Sequence, residues 1–113
     1  MRRAAVLGLF AALGACDAAP SGAQAALELI QANGCAACHV IPGVPGADGR
    51  TGPPLTAMAD QAYVAGVAPN TREWLALFIA DPQRVDPRSA MPDLGVSEAE
   101  ALLIADWLYE ATR

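Results

Sequence analysis

One pentapeptide, Cys35-Ala36-Ala37-Cys38-His39, restricts what this chain can fold into more than any other feature. Two thiols three positions apart, followed at once by an imidazole, form the signature for covalent attachment of a c-type haem. Each thiol would bond one vinyl group of the porphyrin, and the histidine would ligate the iron. The pentapeptide therefore predicts one haem c joined to Cys35 and Cys38, with His39 as the proximal ligand.

Three other interpretations of the pentapeptide account for less of the sequence. Structural zinc needs four protein ligands, usually from two paired clusters, and this chain has one histidine and no second cysteine pair. A thioredoxin-like redox pair belongs in a strand–helix–strand context, but no nearby segment alternates polar and apolar residues as a strand does. A pair of buried cysteines beside a core histidine would require the only histidine of 113 residues to stand here by accident.

The N-terminal residues 1–15 are typical of a secretion signal. Arg2 and Arg3 precede an apolar run over 4–15 that is too short to span a bilayer. Leu13-Gly14-Ala15-Cys16 resembles the bacterial lipoprotein box, in which the signal is cut before the cysteine and the thiol is diacylated. We therefore expect a lipid anchor on Cys16, at the periplasmic side of the inner membrane. The alternatives are a plain signal peptide with a free thiol, or an uncleaved anchor.

Length and charge limit what the rest of the chain can do. It is long enough for one small domain over 22–113, connected to Cys16 by a short linker over 16–21. The sequence has 12 acidic residues against 7 basic ones, and without Arg2 and Arg3 the balance is 12 against 5. So acidic a chain excludes nucleic acid as a partner.

Apolar periodicity and capping signals predict an all-α domain. A capping box at 21–24 begins a first helix that ends at Gly34 and leads directly into the pentapeptide. The many glycines and prolines over 40–54 predict an extended loop. A short helical turn is expected over 57–64.

Two further helices are expected in the C-terminal half. Asn70, with Glu73 three residues later, predicts the cap of a helix over 71–80, which ends because Pro82 disfavours helix in the preceding residue. Prolines, Pro82 among them, then predict a second loop. A capping box over 97–100 begins the last helix, whose apolar stripe contains Leu103, Ile104, Trp107, Leu108 and Ala111.

The sixth ligand of the expected iron has two candidates outside the signal, Met58 and Met91. Met91 lies in a proline-stiffened loop between two helices, from which a side chain can reach the iron without disturbing helix packing. Met58 lies on the expected helical turn and is better explained as a core residue. Placement therefore predicts Met91 as the ligand.

These motifs together resemble those of the class I monohaem cytochromes c, specifically small bacterial membrane-associated members. The similarity covers about residues 21–113 and keeps the family's order: the pentapeptide, Gly52-Pro53-Pro54-Leu55, Asp81-Pro82, Ser89-Ala90-Met91-Pro92 and the segment 104–109. The resemblance implies a class I cytochrome c fold, with three to four helices wrapped around one covalent haem c. It also implies that Pro53 offers its carbonyl oxygen to the second nitrogen of His39 and that Leu55 packs on the haem.

Two positions depart from the family pattern. Gln61 stands where relatives often have an arginine near the haem propionates, and a neutral hydrogen bond is weaker than a charge-assisted one. Tyr63 and Trp74 are alternative donors, with core packing as their other expected role. Phe78 stands where relatives often have Tyr or Trp near the methionine sulfur.

The resemblance implies a single-electron carrier that is not an enzyme, because a methionine in the sixth position excludes substrate and favours the reduced iron. Its expected partners are membrane redox complexes, such as a quinol-oxidising complex and a terminal oxidase. One alternative is a haem c subunit of a dehydrogenase or oxidase complex. Another is a haem peroxidase or gas sensor, which would require Met91 to leave the iron, and the chain has no second histidine for such a site.

Overall fold

The computed structural model describes residues 21–113, so the predicted signal over 1–15 and Cys16 lie outside the described residues. The regular structure of the described chain is mostly helical, with one small antiparallel sheet: α1 (Gly22–Ala32), β1 (Tyr63–Val64), β2 (Ala68–Pro69), α2 (Arg72–Ala80), α3 (Pro82–Val85) and α4 (Glu98–Ala111). None of the helices within 21–113 is long and apolar enough to cross a membrane.

Helix α1 begins and ends as its sequence predicts. The Ser21 hydroxyl accepts a hydrogen bond from the Gln24 N–H at 3.2 Å and caps the first turn. Ala26 and Ile30 are buried on one face. Gly34 ends the helical path with φ +68°, a left-handed conformation that glycine adopts without steric cost.

The predicted α2 is present, but Asn70 is not its cap. Thr71 caps the helix, accepting the Trp74 N–H at 3.2 Å. Asn70 is used elsewhere, because its amide donates to the carbonyl oxygens of Met58 at 2.8 Å and Gln61 at 2.7 Å. Long-range hydrogen bonds therefore override the local capping signal.

Pro82 also has a different role from the expected one. Helix α2 does end before it, but Pro82 starts the short α3 instead of a loop. Asp81 caps this turn by accepting the Arg84 N–H at 3.3 Å, and proline suits a first helical position because its missing N–H would have no partner there. The second loop consequently begins only after Val85.

Helix α4 has the complete capping box predicted for it. The Glu100 N–H donates to the Ser97 hydroxyl at 3.2 Å, and the Ser97 N–H donates to the Glu100 carboxylate at 2.9 Å. Its buried face differs from the expected stripe, since Trp107 is half-buried, as are Leu103 and Ala111. Because α4 packs against both α1 and α2, its buried face consists of Ala101, Ile104, Ala105 and Leu108.

The segment before α2 contains a hairpin that the sequence did not indicate. The helical turn expected over 57–64 is confined to a 3-10 turn, Met58–Asp60. Strands β1 and β2 follow, with Tyr63 opposite Pro69 and Val64 opposite Ala68. Two-residue strands are too short for periodicity to be detected.

The core lies where α4 packs against α1 and α2. Burial of apolar surface there stabilises the fold by about 25 cal/mol per Å². Further buried apolar side chains come from the loops and the hairpin: Ile41, Val44, Met58, Val64, Ala68 and Val96. The loop side of this core forms the site described next.

Candidate functional site

A cavity of about 490 Å³ lies between the helical core and two loop segments, 51–55 and 86–92. This volume is within the range of about 300–1,000 Å³ that is typical of ligand and cofactor sites. Its walls are largely apolar and include many core residues: Ile30, Ile41, Met58, Val64, Leu75, Ile79, Ile104 and Leu108. The arrangement suits a large apolar group that extends into the core.

The pentapeptide forms one compact turn at the wall of this cavity. After Gly34, residues Cys35–Ala37 form a 3-10 turn, and the N–H groups of Cys38 and His39 both donate to the Cys35 carbonyl, at 3.2 and 3.0 Å. This turn brings Cys35, Cys38 and His39 into the cavity wall together.

Both cysteines are free thiols and half-buried. Burial raises the pKa of the Cys35 thiol, against a smaller opposing effect of a backbone hydrogen bond. The Cys35 thiol is therefore protonated at neutral pH. Two thiols on one turn can form bonds with two neighbouring positions of a single ligand.

The ring of His39 is oriented by a backbone carbonyl. Its Nδ1 lies 2.6 Å from the Pro53 carbonyl oxygen, the contact that the family resemblance implies. Since a carbonyl oxygen only accepts, Nδ1 carries the proton and the lone pair is on Nε2. His39 is thus held in the tautomer that can ligate a metal ion through Nε2.

Two glycines permit the close approach of the Pro53 segment to the pentapeptide. A Cβ on Gly49 would lie 2.5 Å from the Ala37 carbonyl group, and a Cβ on Gly52 would lie 2.8 Å from His39 Nδ1. The Gly52 N–H donates to the Cys38 carbonyl at 2.7 Å. The sequence indicated Gly49 only as a loop residue and Gly52 only as a loop residue within a family motif, because a close approach between segments leaves no local signal.

Of the other residues singled out from the sequence, some line the cavity and others do not. Leu55, Gln61 and Phe78 are in the wall. Tyr63 and Trp74 are 60% and 40% exposed, and neither lines the cavity. Their exposure shows that the expected core packing of these two aromatic residues is wrong, and their role as donors to the haem propionates stays a prediction.

The two methionines border the same cavity from different segments. Met58 is 7% exposed and belongs to the core cluster, as its sequence position predicts. Met91 is half-buried in the loop after α3. His39 and Met91 are thus two potential metal ligands on separate segments of one cavity wall.

Polar residues to which the sequence assigned no individual role also shape the Met91 segment. Ser89 and Asp86 line the cavity, and the Gln83 side-chain amide donates to the carbonyl oxygens of Met91 at 2.7 Å and Ser89 at 3.2 Å. An exposed glutamine in a proline-rich segment has no sequence signal for such a role.

Hydrogen bonds through Asn70 connect the floor of the cavity, formed by Met58 and Gln61, to α4. Besides its two donated bonds, Asn70 accepts the Tyr109 hydroxyl at 2.5 Å. Burial raises the pKa of Tyr109, so this hydroxyl is a neutral donor at physiological pH. The network fixes Met58 and Gln61, two cavity residues, to the last helix.

No family model, curated protein or solved structure matches this chain. Among residues 21–113, no three His, Cys, Asp or Glu side chains are grouped so as to hold a metal ion by themselves.

Proposed function

We propose that this chain is a small electron-transfer protein with one covalently bound haem c, of the class I monohaem cytochrome c type. One observation carries the proposal: a single apolar cavity is bordered by the two thiols and the imidazole of the pentapeptide and by the thioether of Met91. When bound, the haem would supply a reversible one-electron change at its iron.

The residues present fit this group. A haem is a large, mostly apolar macrocycle, and the cavity of about 490 Å³ has mostly apolar walls. Cys35 and Cys38 are free to form the two thioether bonds. A haem iron takes at most two ligands from the protein, and His39 and Met91 are the two offered.

The chain's own residues would hold and tune the iron. The Pro53 carbonyl fixes the His39 tautomer and increases the basicity of Nε2, as second-layer partners of a ligating histidine do. Met91 would occupy the sixth position, exclude other ligands and favour the reduced state. The protein would then exchange electrons with partners without transforming a substrate.

The axial ligands are tested by two matched substitutions, Met91→Leu and Met58→Leu, which nearly conserve volume. The wild-type protein should retain haem after denaturing extraction and should not bind carbon monoxide when reduced. Met91→Leu should bind carbon monoxide and have a lower reduction potential, whereas Met58→Leu should behave as wild type. Haem lost on extraction would contradict covalent attachment. Carbon monoxide binding by the wild type would favour the gas sensor.

We further propose that the protein works at the periplasmic side of the inner membrane, anchored by a lipid on Cys16. Its partners would be membrane redox complexes, such as a quinol-oxidising complex and a terminal oxidase, or a dehydrogenase. Cys16→Ala should release the haem protein from washed membranes. A wild-type protein that is found free of lipid and membrane would reject the anchor, and copurification with one complex would favour a permanent subunit.

A further inference from the structure

We infer that Gln83 is a positioning residue for Met91, because its side-chain amide holds the backbone from which Met91 reaches the cavity. This inference rests on the proposed function, in which Met91 ligates the iron. Gln83 itself is exposed and does not line the cavity. It would therefore act only through the segment that it binds.

The geometry uses the full donor capacity of the amide. A side-chain NH₂ group has two hydrogens, and Gln83 Nε2 donates to the Met91 carbonyl at 2.7 Å and to the Ser89 carbonyl at 3.2 Å. The amide thus joins two carbonyl groups on either side of Ala90. This fixes the direction of the backbone just where the Met91 side chain leaves it.

Little else restrains this stretch of backbone. Within residues 21–113, no backbone–backbone hydrogen bond involves residues 90–96. The Met91 N–H donates to the Ser89 hydroxyl at 3.2 Å, and the next residue, Pro92, has no N–H to donate. Side chains therefore bind both polar groups of the Met91 backbone, and Gln83 provides the shorter of the two bonds.

Gln83 is itself firmly placed. Its neighbour Pro82 is fully buried, Asp81 caps the turn at the Arg84 N–H, and the Asp86 N–H donates to the Pro82 carbonyl at 2.9 Å. An exposed side chain on an anchored turn can be changed without opening the core. The consequence of a change should appear at Met91 and not in global stability.

Gln83→Glu provides the test, because a carboxylate has the shape of the amide but no hydrogen to donate. Its oxygens would face two carbonyl oxygens and repel them. Gln83→Lys keeps a donor at this position. Gln31→Glu is the matched control, since Gln31 is exposed on α1 and does not line the cavity, and the charge change is the same.

The experiment uses the full-length haem protein and three measurements: carbon monoxide affinity of the reduced form, hydrogen exchange at residues 90 and 91, and the midpoint of urea unfolding. Gln83→Glu should raise carbon monoxide affinity and exchange about tenfold, the effect of losing about 1.4 kcal/mol of hydrogen bonding. Its midpoint should match that of Gln31→Glu. Gln83→Lys should recover most of the wild-type behaviour.

Unchanged affinity and exchange in Gln83→Glu would overturn the inference, as would equal changes in Gln31→Glu. The proposed function fails in a different way, through a wild-type protein that lacks covalent haem or already binds carbon monoxide. In that case hydrogen exchange alone decides whether Gln83 holds the Met91 segment.

Discussion

The His39 side of the cavity (residues 35–55) and the Met91 side (residues 82–92) are constructed differently. On the His39 side, backbone packs on backbone: the Gly52 N–H donates to the Cys38 carbonyl at 2.7 Å, and Gly49 leaves no room for a Cβ beside Ala37. On the Met91 side, two side chains hold the loop: the exposed Gln83 and the half-buried Ser89.

This difference indicates different freedom of movement. A segment fixed by contacts between backbone atoms moves only with its neighbours, because backbone atoms cannot rotate away as a flexible side chain can. A loop held by a few exposed hydrogen bonds opens locally at low cost in free energy. We therefore expect the His39 side to remain fixed while the Met91 side opens on its own.

The largest expected effect is at Gly49. A Cβ there would overlap the Ala37 carbonyl group, which is backbone and cannot rotate away, so Gly49→Ala should destabilise the fold by about 3 kcal/mol. Urea unfolding measures this loss. Gly46→Ala is the control, since a Cβ there meets no atom within 4 Å, and its positive φ should cost about 1 kcal/mol. Equal losses of stability in the two variants would show that the close approach of Gly49 to Ala37 does not limit the size of this residue.

A smaller effect is expected at Asn70, which joins the cavity floor between the two sides to α4. Asn70→Ala removes three hydrogen bonds and leaves the Met58 and Gln61 carbonyls without this donor. It should cost about 2 kcal/mol in urea unfolding. Tyr109→Phe removes only one of the three bonds, so a loss as large as that of Asn70→Ala would contradict this account.

On the Met91 side, loss of a bond should hardly change global stability. Ser89→Ala removes the acceptor of the Met91 N–H and should change the free energy of unfolding by less than about 0.5 kcal/mol. Hydrogen exchange at Met91 should nevertheless become faster. A loss of stability comparable with that of Gly49→Ala would break the contrast between the two sides.

The smallest effect concerns an ion pair whose two residues do not line the cavity. Arg72 on α2 donates to Asp106 on α4 at 2.5 and 2.9 Å, with both side chains nearly half-exposed. The hydrogen bond from Arg72 lowers the pKa of Asp106. The ion pair therefore stabilises the folded state fully above the unfolded-state pKa of Asp106, about 3.9. This stabilisation is lost as the pH falls through the lower pKa of Asp106 in the folded state.

Melting temperatures of the wild type and Asp106→Asn, measured from neutral to acidic pH, test this linkage. The wild type should be slightly more stable at pH 7, and the difference should vanish in acid, because exposed ion pairs contribute little. The substitution should leave both the His39 side and the Met91 side of the cavity unchanged. A difference that grows as the pH falls would have the wrong sign for a lowered pKa.

The features predicted correctly are those whose partners lie within a few residues. The Ser97–Glu100 capping box and the left-handed Gly34 each depend on one turn of chain, and the pentapeptide gathers two thiols and an imidazole by spacing alone. The predicted cap at Asn70 is wrong because Tyr109 and Met58, far away in sequence, form hydrogen bonds with its side chain. The Pro53 contact with His39 was expected only through family resemblance.

Local sequence is enough to predict the helical character, the two ends of α1 and the chemical identity of the residues proposed to bind a haem, because local sterics, caps and donor chemistry do not depend on distant residues. Tertiary structure alone decided how the segments meet: the Gly49 approach to Ala37, the hairpin, and the bond from Gln83 to Met91. Such contacts join residues whose separation the chain path sets, and a side chain carries no local mark of the partner that packing gives it.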